Sequence, residues 1–140
     1  AAIIPNEVLR EDFKRNTKGI VAHIDNIAFV AAEAAYSAAQ EWYLELLQYL
    51  KSNRNLLQER LNNIDGLSLK GPEAGFLAWI DCSESGLDNP ANFFIEEAGV
   101  GVYDGAWFGD KNYVRLNFGC PKSVLEEALN RIEKAFSQRN

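Results

Sequence analysis

Arg115 lies in the middle of a short run, Tyr113-Val114-Arg115-Leu116-Asn117-Phe118, that is followed by Gly119-Cys120-Pro121. Its period-two alternation predicts a strand with Val114, Leu116 and Phe118 on one face and Tyr113, Arg115 and Asn117 on the other. The first face is core-like. The second presents a guanidinium between a phenol and an amide. A guanidinium fixed on a rigid strand can grip a carboxylate through two parallel hydrogen bonds, so the ligand this chemistry suits is a small-molecule acid. Trp107 and Phe108, just before the strand, are placed to fold over the same face and supply apolar walls for a pocket. The plainer reading is an edge-strand arginine paired with a surface glutamate. It is weakened by the two neighbours on that face, which are polar but uncharged.

Other sources of chemistry are sparse. There is no Gly-x-Ser-x-Gly elbow and no phosphate loop of the Walker type. Gly99-Val100-Gly101 lacks the third glycine and the following helix of a dinucleotide fingerprint. His23 is the only histidine, and neither Cys82 nor Cys120 has a ligand partner at short range, so no metal site is expected. A nucleophilic pair of His23 with either cysteine has nothing to orient the imidazole. The pairs Glu96-Glu97 and Glu126-Glu127 fall in helical segments, where adjacent side chains point apart.

Composition narrows the class. The chain has 140 residues and a formal net charge of -6, so there is no basic excess to meet nucleic-acid phosphates. No run approaches the ~20 apolar residues of a membrane span. Two cysteines are too few for a disulfide framework, and both are expected as free thiols in a reducing, cytoplasmic compartment. The chain lacks Met and opens on Ala1-Ala2-Ile3-Ile4-Pro5. That apolar run reads as a strand severed from its neighbours, and the chain is expected to be a piece of a longer protein.

The elements that must position Arg115 follow from patterning. Residues 1–4 are expected as a strand, with Pro5 in the first turn of a helix that runs to about residue 15. An alanine-rich helix covers about 26–39, and a long one covers 40–62 with Trp42, Leu46, Leu50, Leu57 and Leu61 on its stripe. Strands follow at 67–70 and 75–81. The second is apolar on both faces and is expected to be central in a covered sheet. A short helix at 90–98, a strand at 99–103, a loop at 105–112 and the Arg115 strand come next. The last helix starts at Pro121, with Val124, Leu125, Ala128, Leu129, Ile132, Ala135 and Phe136 against a sheet. The expected class is α+β: a small sheet of three or four strands flanked by helices and preceded by further helices.

Taken together, these segments resemble a known family. The run from Phe108-Gly109-Asp110 through Tyr113-Val114-Arg115-Leu116-Asn117-Phe118-Gly119-Cys120-Pro121-Lys122 is similar to the C-terminal signature of fold-type I pyridoxal-phosphate enzymes of the class I/II aminotransferase superfamily. The bacterial cystathionine β-lyase, or C–S lyase, branch is the nearest. Ala2-Ile3-Ile4-Pro5-Asn6-Glu7, Ala34-Ala35-Tyr36, Trp42-Tyr43-Leu44 and Pro72-Glu73-Ala74-Gly75-Phe76-Leu77-Ala78-Trp79-Ile80-Asp81 resemble other parts of that branch in order.

The resemblance implies that residues 1–40 end the large domain and supply interdomain helices, and that 41–140 form the C-terminal small domain. It implies that Arg115 grips the substrate α-carboxylate, with Tyr113, Asn117, Trp107 and Phe108 as pocket candidates. The cofactor lysine and the rest of the cofactor site would lie upstream of Ala1. The chain alone is then expected to bind no pyridoxal phosphate and to be inactive. The parent is expected to be a homodimer that converts a sulfur amino acid to thiol, pyruvate and ammonia. Gly75-Phe76 stands where the family often has Thr-Tyr, which leaves transamination as the alternative. A non-catalytic amino-acid-binding or interaction domain is the competing class.

Overall fold

The computed structural model describes residues 2–21 and 24–139. His23 lies outside them, and so does any pairing of it with a cysteine. The described residues form five α-helices and a small antiparallel sheet, an α+β arrangement. Ala1–Glu41 and Trp42–Asn140 are separate compact units, and each is taken by itself.

The first unit holds α1 (Glu7–Thr17) and α2 (Asn26–Ser37). Asn6 caps α1, its side-chain oxygen accepting from the Leu9 N–H at 3.1 Å. Pro5 therefore precedes the cap instead of opening the first turn. Asp25 caps α2 in the same way, accepting from Ala28 N–H at 2.7 Å. Residues 2–4 form no strand, contrary to the sequence expectation. A strand needs a ladder partner, and none lies beside them among the described residues.

The second unit contains nearly all of α3 (Gln40–Leu61), then β1 (Leu77–Asp81), α4 (Pro90–Asn92), β2 (Tyr103–Asp104), β3 (Tyr113–Asn117) and α5 (Lys122–Ser137). A π-helical turn, Phe93–Glu97, continues α4, and a 3-10 turn, Gly105–Phe108, leads out of β2. Strand order is β1-β3-β2, so the Arg115 strand is the central one and β1 is not, as had been expected from its two apolar faces. The β1 pattern has another cause: Ala78 and Ile80 enter the core, while Leu77 and Trp79 lie on the opposite, partly exposed face beside Arg115.

Two expected strands are almost absent, because their backbones are engaged elsewhere. In residues 67–70 only Ser68 pairs, as a single bridge to Asp81. The Leu69 N–H and C=O are both bound by the Asn62 amide, at 2.7 and 3.2 Å. In residues 99–103 the Val100 N–H closes the π-helical turn on Phe94 O at 2.8 Å, and only Tyr103 reaches the ladder.

The core lies under one sheet face. Ala78, Ile80, Val114, Leu116 and Phe118 meet Leu57 and Leu61 of α3, Phe94, and Leu125, Leu129 and Ile132 of α5. Each fully buried Leu, Ile or Phe contributes about 1.5–3 kcal/mol of transfer free energy. Val124 is 55 % exposed and lies off the α5 stripe, and Trp42, at 64 %, is not part of the α3 core face. The polar residue Asn53 is fully buried there instead.

Candidate functional site

Arg115 sits at the middle of the central strand, and register gives it two direct neighbours. Trp79 of β1 and Tyr103 of β2 are its Cα partners across the ladders. Side chains at opposed positions share a face. The coreless face of the sheet therefore gathers Trp79, Tyr103, Tyr113 and Arg115. The turn Gly105–Phe108 adds Phe108 from above β3. Gly105 makes this possible: a Cβ there would lie 2.3 Å from the carbonyl oxygens of both Asp110 and Tyr113. Only glycine lets the turn close so tightly on the start of β3.

The guanidinium is held by rings. Its Cζ lies 4.2 Å from the Phe108 ring centroid and 4.7 Å from that of Tyr103. Trp79 meets Phe108 edge-on at 5.9 Å, and Trp107 meets Tyr103 in the same manner at 5.9 Å. Trp107 thus supports the second ring and does not itself lie over Arg115. Among the described residues Arg115 has no carboxylate partner and no side-chain hydrogen bond. Its Nε is buried without an acceptor, while the terminal nitrogens reach solvent. A buried donor left unpaired in a native fold is uncommon and calls for an explanation. Here an always-charged fork keeps its terminal N–H groups uncommitted.

The other sequence-nominated residues have local partners. Tyr113 stacks on Trp79 at 5.2 Å, and its hydroxyl donates to Asp81 Oδ2 at 2.8 Å. Asn117 accepts from Gly119 N–H at 2.8 Å and so shapes the turn after the strand. Asp81 also accepts from Ser83 N–H at 2.9 Å. That bond, the Ser83 side chain and the Tyr113 hydroxyl hold its carboxyl below the usual carboxylate range. The same Asp81 bond raises the Tyr113 phenol above its usual value.

A pH prediction follows. A depressed carboxyl stabilises the fold fully above the unfolded-state value of about 3.9 and ceases to do so as pH falls through its lower folded value. The melting-temperature gap between wild type and Asp81→Asn is therefore expected to be flat through neutral pH and to shrink in acid below about pH 4. A gap that widened on acidification would contradict the assignment.

Trp79, Asp81 and Tyr103 join this face without having been nominated from sequence. The available signal was their place in the alternating runs, but alternation does not give register. Asn53 and Tyr49 were missed too. Asn53 Nδ2 donates to Phe118 O and Cys120 O, both at 3.0 Å, and Tyr49 Oη accepts from Lys122 N–H at 2.6 Å. Together they tie α3 to the junction between the Arg115 strand and α5, whose Pro121 cap has no side-chain bond of its own. A groove of about 430 Å³ lined by Gly99, Val100, Asn117, Cys120, Val124 and Arg131 runs along the start of α5 and does not include Arg115.

Both cysteines are free, and burial pushes the Cys82 thiol up to about 12, so it is no nucleophile at neutral pH. All seven lysines are exposed, without the desolvation that makes a Schiff-base lysine reactive. Among the described residues no group of three or more His, Cys, Asp or Glu could hold a metal ion. No described helix is long and apolar enough to cross a membrane.

Comparison with known proteins gives a consistent result. The family model for aminotransferase class I and II matches residues 1–132. A cystathionine beta-lyase of Corynebacterium glutamicum is 34 % identical over 108 residues, covering 76 % of this chain and 29 % of its own length. The crystal structure of OvoB superposes with a TM-score of 0.92 and 46 % identity, over 96 % of this chain and 35 % of that one. The PLP-bound C-S lyase from Staphylococcus hominis gives a TM-score of 0.81 and 32 % identity, over 96 % and 36 %. The chain thus spans about a third of the length of the proteins it matches.

Proposed function

The chain belongs to the class I and II aminotransferase family, and on that premise we propose that it is the C-terminal part of a pyridoxal-phosphate-dependent C–S lyase acting on sulfur amino acids. The observation that carries the reading is the Arg115 guanidinium, held on the central strand with no acceptor among the described residues. In this role Arg115 binds the substrate α-carboxylate end-on through its terminal nitrogens and so fixes the orientation of Cα. Residues 1–40 close the large domain and supply interdomain helices, and 41–140 are the small domain. The whole enzyme is a cytoplasmic homodimer.

The seven described lysines are poorly suited to hold the cofactor as a Schiff base, because all are exposed. The exposed lysines and the ring-held arginine supply neither an activated amine nor a phosphate cradle. Pyridoxal phosphate, when bound elsewhere in the enzyme, supplies the electron sink for the charge left at Cα. This chain's contribution is orientation: a carboxylate held in one plane limits which Cα bond can break. Because the family model covers aminotransferases, transamination is the second reading, and Gly75-Phe76, in place of the hydroxyl-bearing pair that the resemblance leads one to expect, leaves the choice between the two open.

Two measurements test this. The full-length enzyme given L-cystathionine is expected to release pyruvate, ammonia and a thiol. An amino-group exchange with an oxo acid and no thiol release would favour transamination. The 140-residue chain alone, treated with pyridoxal phosphate and borohydride, is expected to show no specific lysine adduct. A single stoichiometrically labelled lysine would overturn the assignment of the cofactor site to another part of the enzyme.

A further inference from the structure

We propose that Tyr103 and Phe108 are positioning residues for the Arg115 guanidinium, holding it by their ring faces so that its terminal N–H edge alone is offered to the substrate acid. The inference rests on the reading of Arg115 as the carboxylate clamp.

Three observations converge. First, an arginine on a sheet is ordinarily fixed by a carboxylate or a carbonyl, and every such bond uses donors. Arg115 has neither among the described residues, yet its Cζ is 4.2 and 4.7 Å from two ring centroids. A ring face attracts the cation and limits its rotation without accepting its in-plane N–H groups. Second, the buried, unpaired Nε closes the side-on approach, which leaves the terminal edge for a planar anion. Third, each ring is itself braced: Phe108 by Trp79 edge-on at 5.9 Å, Tyr103 by Trp107 edge-on at 5.9 Å. Tyr103 meets the guanidinium through its ring, whose centroid lies 4.7 Å from Arg115 Cζ. Gly105, which admits no Cβ, fixes the turn that carries Phe108.

The test is a kinetic series on the full-length enzyme with L-cystathionine. Phe108→Leu and Tyr103→Leu keep apolar bulk but remove the ring faces. Each is expected to raise KM roughly tenfold, with kcat within about threefold and the melting temperature little changed. Tyr103→Phe keeps the face and is expected to restore the wild-type KM. Arg115→Lys belongs in the same series. If it raises KM while the two leucine variants do not, the clamp stands and the positioning role is overturned. If the leucine variants lower kcat and melting temperature together at unchanged KM, the rings are structural and the proposal is again overturned. An unchanged KM in Arg115→Lys would remove the reading on which the inference rests.

Discussion

In the full-length enzyme, Arg115→Lys is expected to raise KM for L-cystathionine roughly 100-fold, equivalent to about 2.7 kcal/mol, while kcat changes little. The substitution keeps the charge and shortens the reach. What it loses is the planar fork that meets both carboxylate oxygens in parallel. The loss appears in KM because the carboxylate is gripped equally in the ground state and the transition state. The surroundings sharpen the effect. A lysine ammonium at this position would face the Phe108 and Tyr103 rings, which stabilise a cation but do not aim it. Steady-state kinetics over a wide range of substrate concentration gives the answer. A KM within twofold of wild type would remove Arg115 from the site.

Asn53→Asp is expected to destabilise the protein by about 3–5 kcal/mol, the range for an uncompensated charge in a buried position. Asn53 is fully buried, and its amide nitrogen donates to two carbonyl oxygens, Phe118 O and Cys120 O. An aspartate of the same shape would set a carboxylate against those two acceptors, or would have to hold a proton. Asn53→Leu has no charge but removes the donor from the buried Phe118 carbonyl, at about 1–3 kcal/mol, and from the part-buried Cys120 carbonyl, at less. The two variants are told apart by pH: the deficit of Asn53→Asp should narrow in acid as the carboxyl protonates, and that of Asn53→Leu should not. Denaturant titration followed by tryptophan fluorescence measures both. Equal stability of Asn53→Asp and wild type would show that the Asn53 amide does not hold the end of the Arg115 strand.

The two predictions share a geometry. Asn53 and Tyr49 fasten the chain just after β3, and the ring cluster fastens the guanidinium on β3 itself. Disturbing the first shifts the strand, and disturbing the second shifts only the side chain. Asn53 variants are therefore expected to lower stability and to raise KM as well, because the strand carries Arg115, whereas the ring variants should raise KM with stability little changed.

How much of this was readable from the chain differs from element to element. Val114, Leu116 and Phe118 were legible as core because strand alternation is a property of one short segment, and all three are buried. The α5 stripe was legible for the same reason at helical period, apart from Val124. The segments 67–70 and 99–103 were misjudged as strands. Their residues suit a ladder, but Asn62 and the π-helical turn engage the backbone groups a ladder needs. The central strand was misjudged too, since apolar content on both faces of β1 reflects an aromatic site and not a doubly covered sheet.

By itself, then, the sequence determined where a strand bearing an arginine would form, which of its faces would be buried, and which family its segments resemble. Those are local or cumulative properties of side-chain type. Only the tertiary structure decided that this strand is central, that Trp79 and Tyr103 stand opposite Arg115, and that Asn53 reaches the strand's end. Register and docking depend on pairings between distant segments, and a period-two pattern specifies a face without naming the residue across from it.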